Sequence, residues 1–126
     1  MDNHFKADEK LYRAVYDKDR KPNYWKKDGT LSPAALLDKE GLSVDRGYYR
    51  EDFEVLADMS GRLKGMAISV EAGMCNNVNA IVLYKPSKKD SYHSEIHGSK
   101  DEAALSPEQR FYLAKCAKVV GTIQKK

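Results

Sequence analysis

The chain has 126 residues, with 22 Lys plus Arg against 19 Asp plus Glu, 41% hydrophobic and 33% charged. That describes one compact domain over residues 1–126 rather than two, and lies outside the disordered class. No apolar run approaches the roughly 20 residues of a membrane-spanning helix, and the start at Met1 to Lys6 shows no signal core or cleavage site, so the expected setting is the cytoplasm with no membrane partner. A net charge of +3 is too small an excess to announce a nucleic-acid binder by itself.

Leu11, Ala14 and Val15, with Tyr12 and Tyr16, fall at helical spacing and predict a helix over Leu11 to Tyr16, although the stretch from Lys10 also has strand character. Asp17 to Thr30 is polar, basic and broken by Pro22 and Asp28-Gly29, and reads as a loop anchored by Tyr24 and Trp25. Ser32 as N-cap with Pro33 at the first helical position predicts a short helix through Leu37, stopped by Gly41. Leu42 to Arg46 reads as a strand. A second helix is expected from Arg50 or Glu51 to Met59, with Phe53, Leu56 and Ala57 on its apolar stripe.

Met66, Ile68 and Val70 alternate with Ala67 and Ser69 as in a half-buried strand, and Ala80 to Tyr84 is a continuous apolar run suited to a central strand. These two are expected to pair through the Gly73 to Asn79 connection. Tyr92 to His97 is a further strand, stopped by Gly98. A last helix follows from the N-cap Ser106, Pro107 and the capping-box residue Gln109, with Leu113, Ala117 and Val120 as its stripe, before a solvated tail at Lys125 and Lys126. The sum is an α+β fold: a small, mainly antiparallel sheet of about three to four strands packed with three to four helices.

Cys75 and Cys116 have neither CxxC nor Cys/His spacing, so neither a disulfide framework nor a zinc site is assigned. Cys116 reads as a small core residue, and Cys75 as a turn residue.

Chemistry concentrates in His93-Ser94-Glu95-Ile96-His97. On a strand, the period of two puts His93, Glu95 and His97 on one face, where two imidazoles and a carboxylate supply acid, base and orienting group, with or without a divalent transition metal. The alternative is a solvated polar strand face. Arg46 and Arg50, beside Asp45 at a strand-to-helix junction, are candidates for holding an anionic group; a local Asp45–Arg46 ion pair is the competing reading. Tyr24 and Trp25, among Lys18, Arg20, Lys21, Lys26 and Lys27, combine aromatic and basic residues as single-strand nucleic-acid binders do.

Arg13, Ser43 and Glu95 stand in an order that resembles the Arg, Ser, Glu order of one ADP-ribosyltransferase class. The resemblance rests on these three residues. It implies that Arg13 and Ser43 hold a dinucleotide and that Glu95 stabilises the developing oxocarbenium charge. More broadly, Leu11-Tyr12-Arg13, the Asp28 to Ala35 segment, Gly41 to Arg46, Pro86, His93 to Gly98 and Leu113-Ala114 resemble a scattered group of short bacterial proteins of unassigned function, which implies no activity.

The leading expectation is a small intracellular interaction module binding a protein or nucleic-acid partner in a bacterial or phage system. Its rival is a hydrolase or transferase acting on a phosphate-containing substrate through the His93, Glu95, His97 face. No cofactor and no oligomeric state follow from the sequence.

Overall fold

The computed structural model describes residues 1–123, and it departs from expectation at the first element. Leu11 to Val15 belongs to a strand, β1 (Lys10–Val15), not a helix. Leu11 and Val15 enter one apolar layer and Tyr12 the other. A strand apolar on both faces mimics the i, i+3, i+4 pattern of a helix over so short a run, and here strands on both sides settle the choice.

The other strands are β2 (Leu42–Arg46), β3 (Gly65–Glu71), β4 (Ile81–Tyr84), β5 (His93–His97) and β6 (Lys118–Ile123). They form one antiparallel sheet in the order β4-β5-β2-β1-β3-β6. The α-helices are α1 (Asp52–Met59), α2 (Ala72–Asn77) and α3 (Pro107–Cys116). The mixed helix-and-sheet character is as expected, but the element count is corrected. Six strands replace the three to four expected, and there are three α-helices among the described residues, only two longer than α2. Pro33–Leu36 is a 3₁₀ turn capped by Ser32 rather than an α-helix.

The gain in strands has two sources. β1 was assigned to a helix, and Val120 was assigned to the final helix, which ends at Cys116 and gives way to β6. The pairing of the Met66 and Ala80 strands is also corrected. The connection coils into α2 and carries the chain across the sheet, so β3 pairs with β1 and β6 while β4 becomes an edge strand beside β5. Cys75, expected in a turn, is fully buried in α2, where desolvation pushes its thiol up to about 12. Lys125 and Lys126 lie outside the described residues.

Two layers cover the sheet. Leu11, Val44, Ile68 and Ile96 pack on one face against Leu36, Cys75, Leu113 and Ala114 from the 3₁₀ turn, α2 and α3. On the other, Val55 and Met59 of α1 meet Tyr12, Ala67 and Ile123. The α1 stripe thus differs from the expected one, since Phe53 is 72% exposed and Val55 and Met59 are the buried positions. Among the described residues no helix is long and apolar enough to cross a membrane.

The middle of the sheet is its narrowest join. β1 pairs with β3 over six residues but with β2 at only two, Leu11↔Arg46 and Tyr12↔Asp45. An arginine stands at each end of this short seam. At one end Arg46 is wholly buried, donating from Nε and Nη2 to the Glu9 carboxylate at 2.7 and 2.9 Å. It also donates to the Asp2 and His4 carbonyls and lies against the Phe5, Tyr48 and Tyr84 rings. It therefore ties the N-terminal segment and β1 to β2.

Removing one member of a buried ion pair strands the other charge, typically at a cost of about 3–5 kcal/mol. Arg46→Ala is expected to lower unfolding free energy by that order in urea titrations, whereas an exposed control, Lys39→Ala, should stay within roughly 0.5 kcal/mol of wild type. Equal midpoints for the two variants would contradict the seam role.

Candidate functional site

Register brings the chemistry together. Ser43↔Glu95 and Asp45↔His93 are direct partners across β2 and β5, and Leu83↔Glu95 and Ile81↔His97 are partners across β4 and β5. Directly paired residues share a face, so Ser43, Asp45, His93, Glu95 and His97 line the same face as Tyr12. The α1 helix packs toward the β1-β3-β6 half of that face. On the β2-β5-β4 half, Ser43 is exposed and His93, Glu95 and His97 are half-buried.

Glu95 is held by its neighbours. His97 Nε2 lies 2.8 Å from Glu95 Oε1, and Lys85 Nζ approaches the same oxygen at 3.6 Å. Partial burial works to raise the Glu95 carboxyl, but the His97 hydrogen bond, helped by Lys85 and the nearby imidazoles, outweighs it and holds Glu95 below the usual carboxylate range. Glu95 is therefore an anion at neutral pH. His97 is backed by Gly41, whose φ of +101° is a left-handed conformation and whose missing Cβ would sit 2.6 Å from His97 Nε2. The sequence role assigned to Gly41, a helix stop, understated this contact.

His93 is oriented by the backbone. Its Nδ1 lies 2.8 Å from the Lys85 carbonyl, which only accepts, so Nδ1 carries the proton and Nε2 turns toward Ser43 Oγ at 3.4 Å. Beyond Tyr12↔Asp45 the β1–β2 ladder stops, and Arg13 donates instead from Nη1 to the Ser43 carbonyl at 3.0 Å. Arg13, one residue past Tyr12, turns to the opposite face, where burial lowers its pKa with Asp38 in partial support, and its buried Nε has no hydrogen-bond partner among the described residues. Where the strands part, a cavity of about 140 Å³ lies between them and the end of α1, lined by Arg13, Ser43, Asp45, Met59, Arg62 and His93.

The floor beside this cavity is acidic. Asp45, Asp58 and Asp90 converge closely enough to share a cation. The Arg62 guanidinium stands among them, 2.9 Å from Asp45 and Asp58 and 3.3 Å from Asp90. Burial, then the neighbouring Asp90, pushes Asp45 up to about 6 despite Arg62, while Asp90 is lowered. Arg62 and Asp90 were not singled out from sequence. Only the Asp58–Arg62 i, i+4 spacing hinted at a partner for Arg62.

The remaining candidates make their contacts elsewhere. Arg46 is the seam residue described above. Arg50 donates to the Gly47 and Arg46 carbonyls and stacks over Tyr92 at 3.4 Å. Tyr24 and Trp25 are half-buried against the main core, and Trp25 Nε1 donates to the Tyr16 carbonyl at 2.8 Å.

Comparison with known proteins gives no match to a family model, to a curated protein or to a solved structure.

Two outcomes follow from this geometry. Gly41→Ala combines a strained φ with a collision at His97, and is expected to lower stability by about 1–3 kcal/mol. In a His97→Ala background the collision disappears, so a double-mutant cycle should show a smaller loss for the same glycine change. For Asp45, a folded pKa raised above its unfolded value stabilises the fold below pH 4, and that contribution is lost as pH rises through about 6. Asp45→Asn should flatten this fall in denaturation midpoints between about pH 4 and 6; an unchanged slope would show that Asp45 does not titrate there.

Proposed function

We propose that the chain is a transferase or hydrolase acting on a phosphate-containing substrate, with the chemistry of the ADP-ribosyltransferase class. The bond broken is the one between ribose C1′ and nicotinamide in a nicotinamide dinucleotide. The observation that carries this reading is the direct pairing of Ser43 with Glu95 on one sheet face, with Arg13 on the adjacent strand and the opposite face. Arg13 is hydrogen-bonded to the Ser43 carbonyl, and Ser43 is directly opposite Glu95.

The physical chemistry fits that bond. Departure of nicotinamide leaves positive charge on the ribose, and a fixed, ionised carboxylate at a half-buried position stabilises charge that develops there. Glu95 meets this need because His97 and Lys85 hold it ionised and in place. Ser43 adds an exposed hydroxyl as a donor for ribose or phosphate oxygens. At about 140 Å³ the cavity suits a ring rather than a whole ligand, since sites enclosing complete small molecules run to roughly 300 Å³ or more. The rest of a dinucleotide would lie across the open face.

An interaction module, the other expectation from sequence, is less favoured because Tyr24 and Trp25 are half-buried against the core rather than presented as an exposed aromatic patch.

The test is release of nicotinamide from NAD⁺ by the purified chain, followed by chromatography. Wild type is expected to release it, and Glu95→Gln to lower the rate by about 100-fold or more while NAD⁺ still binds. Ser43→Ala is expected to weaken NAD⁺ binding. A wild-type chain that neither binds NAD⁺ in calorimetry nor releases nicotinamide overturns the reading.

A further inference from the structure

We infer that His93 is the general base of this reaction and that the group receiving the ribose is a hydroxyl, either water or an alcohol. The inference rests on the proposed nicotinamide chemistry and adds to it the identity of the base and the chemical class of the acceptor.

Three features converge on His93. First, the Lys85 carbonyl fixes the proton on Nδ1 and leaves Nε2 directed at the Ser43 side of the cavity, the orientation a proton acceptor requires. Second, His93 and Glu95 stand two residues apart on one strand face, their Cα atoms roughly 7 Å apart, which places Glu95 to serve the ribose and His93 the incoming oxygen from the same face. Third, the acceptor's approach is open at Ser43, which is exposed beside the His93 Nε2.

The charged groups facing His93 are Asp45 across β2, Asp90 ahead of β5, Arg62 beyond α1, Lys85 next to β4 and Glu95 along its own strand. Both signs are present among them, with Arg62 paired to the two aspartates.

The step balances without any further reagent. The acceptor oxygen forms a bond to C1′, the C1′–nicotinamide bond breaks, and its electron pair leaves with the pyridinium nitrogen as neutral nicotinamide. The hydroxyl proton passes to His93 Nε2 and then to solvent. A base is needed because a neutral hydroxyl is a weak nucleophile. An anion such as azide brings no proton and needs none removed.

Nicotinamide release from NAD⁺ is therefore measured in water, with and without azide, for wild type, His93→Gln, His93→Ala and Glu95→Gln. Both His93 variants are expected to lose about 100-fold in release to water, with NAD⁺ affinity within about threefold of wild type. Azide should return them to within a few-fold of the wild-type rate, forming ADP-ribosyl azide, whereas Glu95→Gln should not be rescued. In wild type a solvent deuterium isotope effect should accompany release to water and vanish with azide, a readout that requires no variant to fold. Wild-type rates in the His93 variants, absence of azide rescue in variants that bind NAD⁺, or an isotope effect that persists with azide each overturn the inference while leaving the proposed function standing. A wild type that releases no nicotinamide overturns both.

Discussion

The fold turns on a two-pair seam. Among the described residues, Leu11↔Arg46 and Tyr12↔Asp45 are the only register pairs that join the β4-β5-β2 half of the sheet to the β1-β3-β6 half. So short a ladder contributes little by itself, and side chains reinforce both ends. Arg46 closes one end through its buried pairing with Glu9, and Arg13 closes the other by donating to the Ser43 carbonyl. Between the Arg13 end and α1 the strands part, and the cavity opens there. Continuous β1–β2 pairing would leave no such opening, so the weakness of the join and the presence of a candidate site have one structural origin.

The same division explains why one face carries both packing and chemistry. α1 buries Val55 and Met59 over the β1-β3-β6 half, and its end supplies Arg62, which neutralises the aspartates beneath it. Across the seam, polar side chains at alternate positions of β2 and β5 remain within reach of a ligand. Their geometry is maintained from the strand edge and from turns: Lys85 orients His93, and Gly41 admits His97 beside Glu95. Lys85 stands 8 residues before His93, and Gly41 belongs to a turn far from His97 along the chain, which is why preorganisation here belongs to the tertiary fold.

Parts of this arrangement were legible in the residues. The Ser106-Pro107-Gln109 capping box marked the start of α3, and the HSEIH alternation placed His93, Glu95 and His97 on one face. The β1 strand was missed because Leu11, Ala14 and Val15 satisfy a helical spacing while Tyr12 fills the second layer, and seven residues cannot separate the two periods. β4 was read as central because Ile81 to Tyr84 is apolar throughout. That pattern measures burial on both faces and is silent about whether a neighbour lies on each side. Arg46 and Arg50 looked like anion ligands because guanidinium chemistry is the same for a substrate phosphate, a buried Glu9 carboxylate or a backbone carbonyl.

By itself the sequence determined the mixed helix-and-sheet class, the starts of α1 and α3 and the face shared by His93, Glu95 and His97, since capping and side-chain alternation are local properties of a few successive residues. Only the tertiary structure decided the strand order, the seam, the pairing of Ser43 with Glu95 and the Arg13 bond to the Ser43 carbonyl. Those depend on pairing between segments 30 to 54 residues apart in the chain, where partner choice is set by which layers can be buried together and no local pattern encodes it.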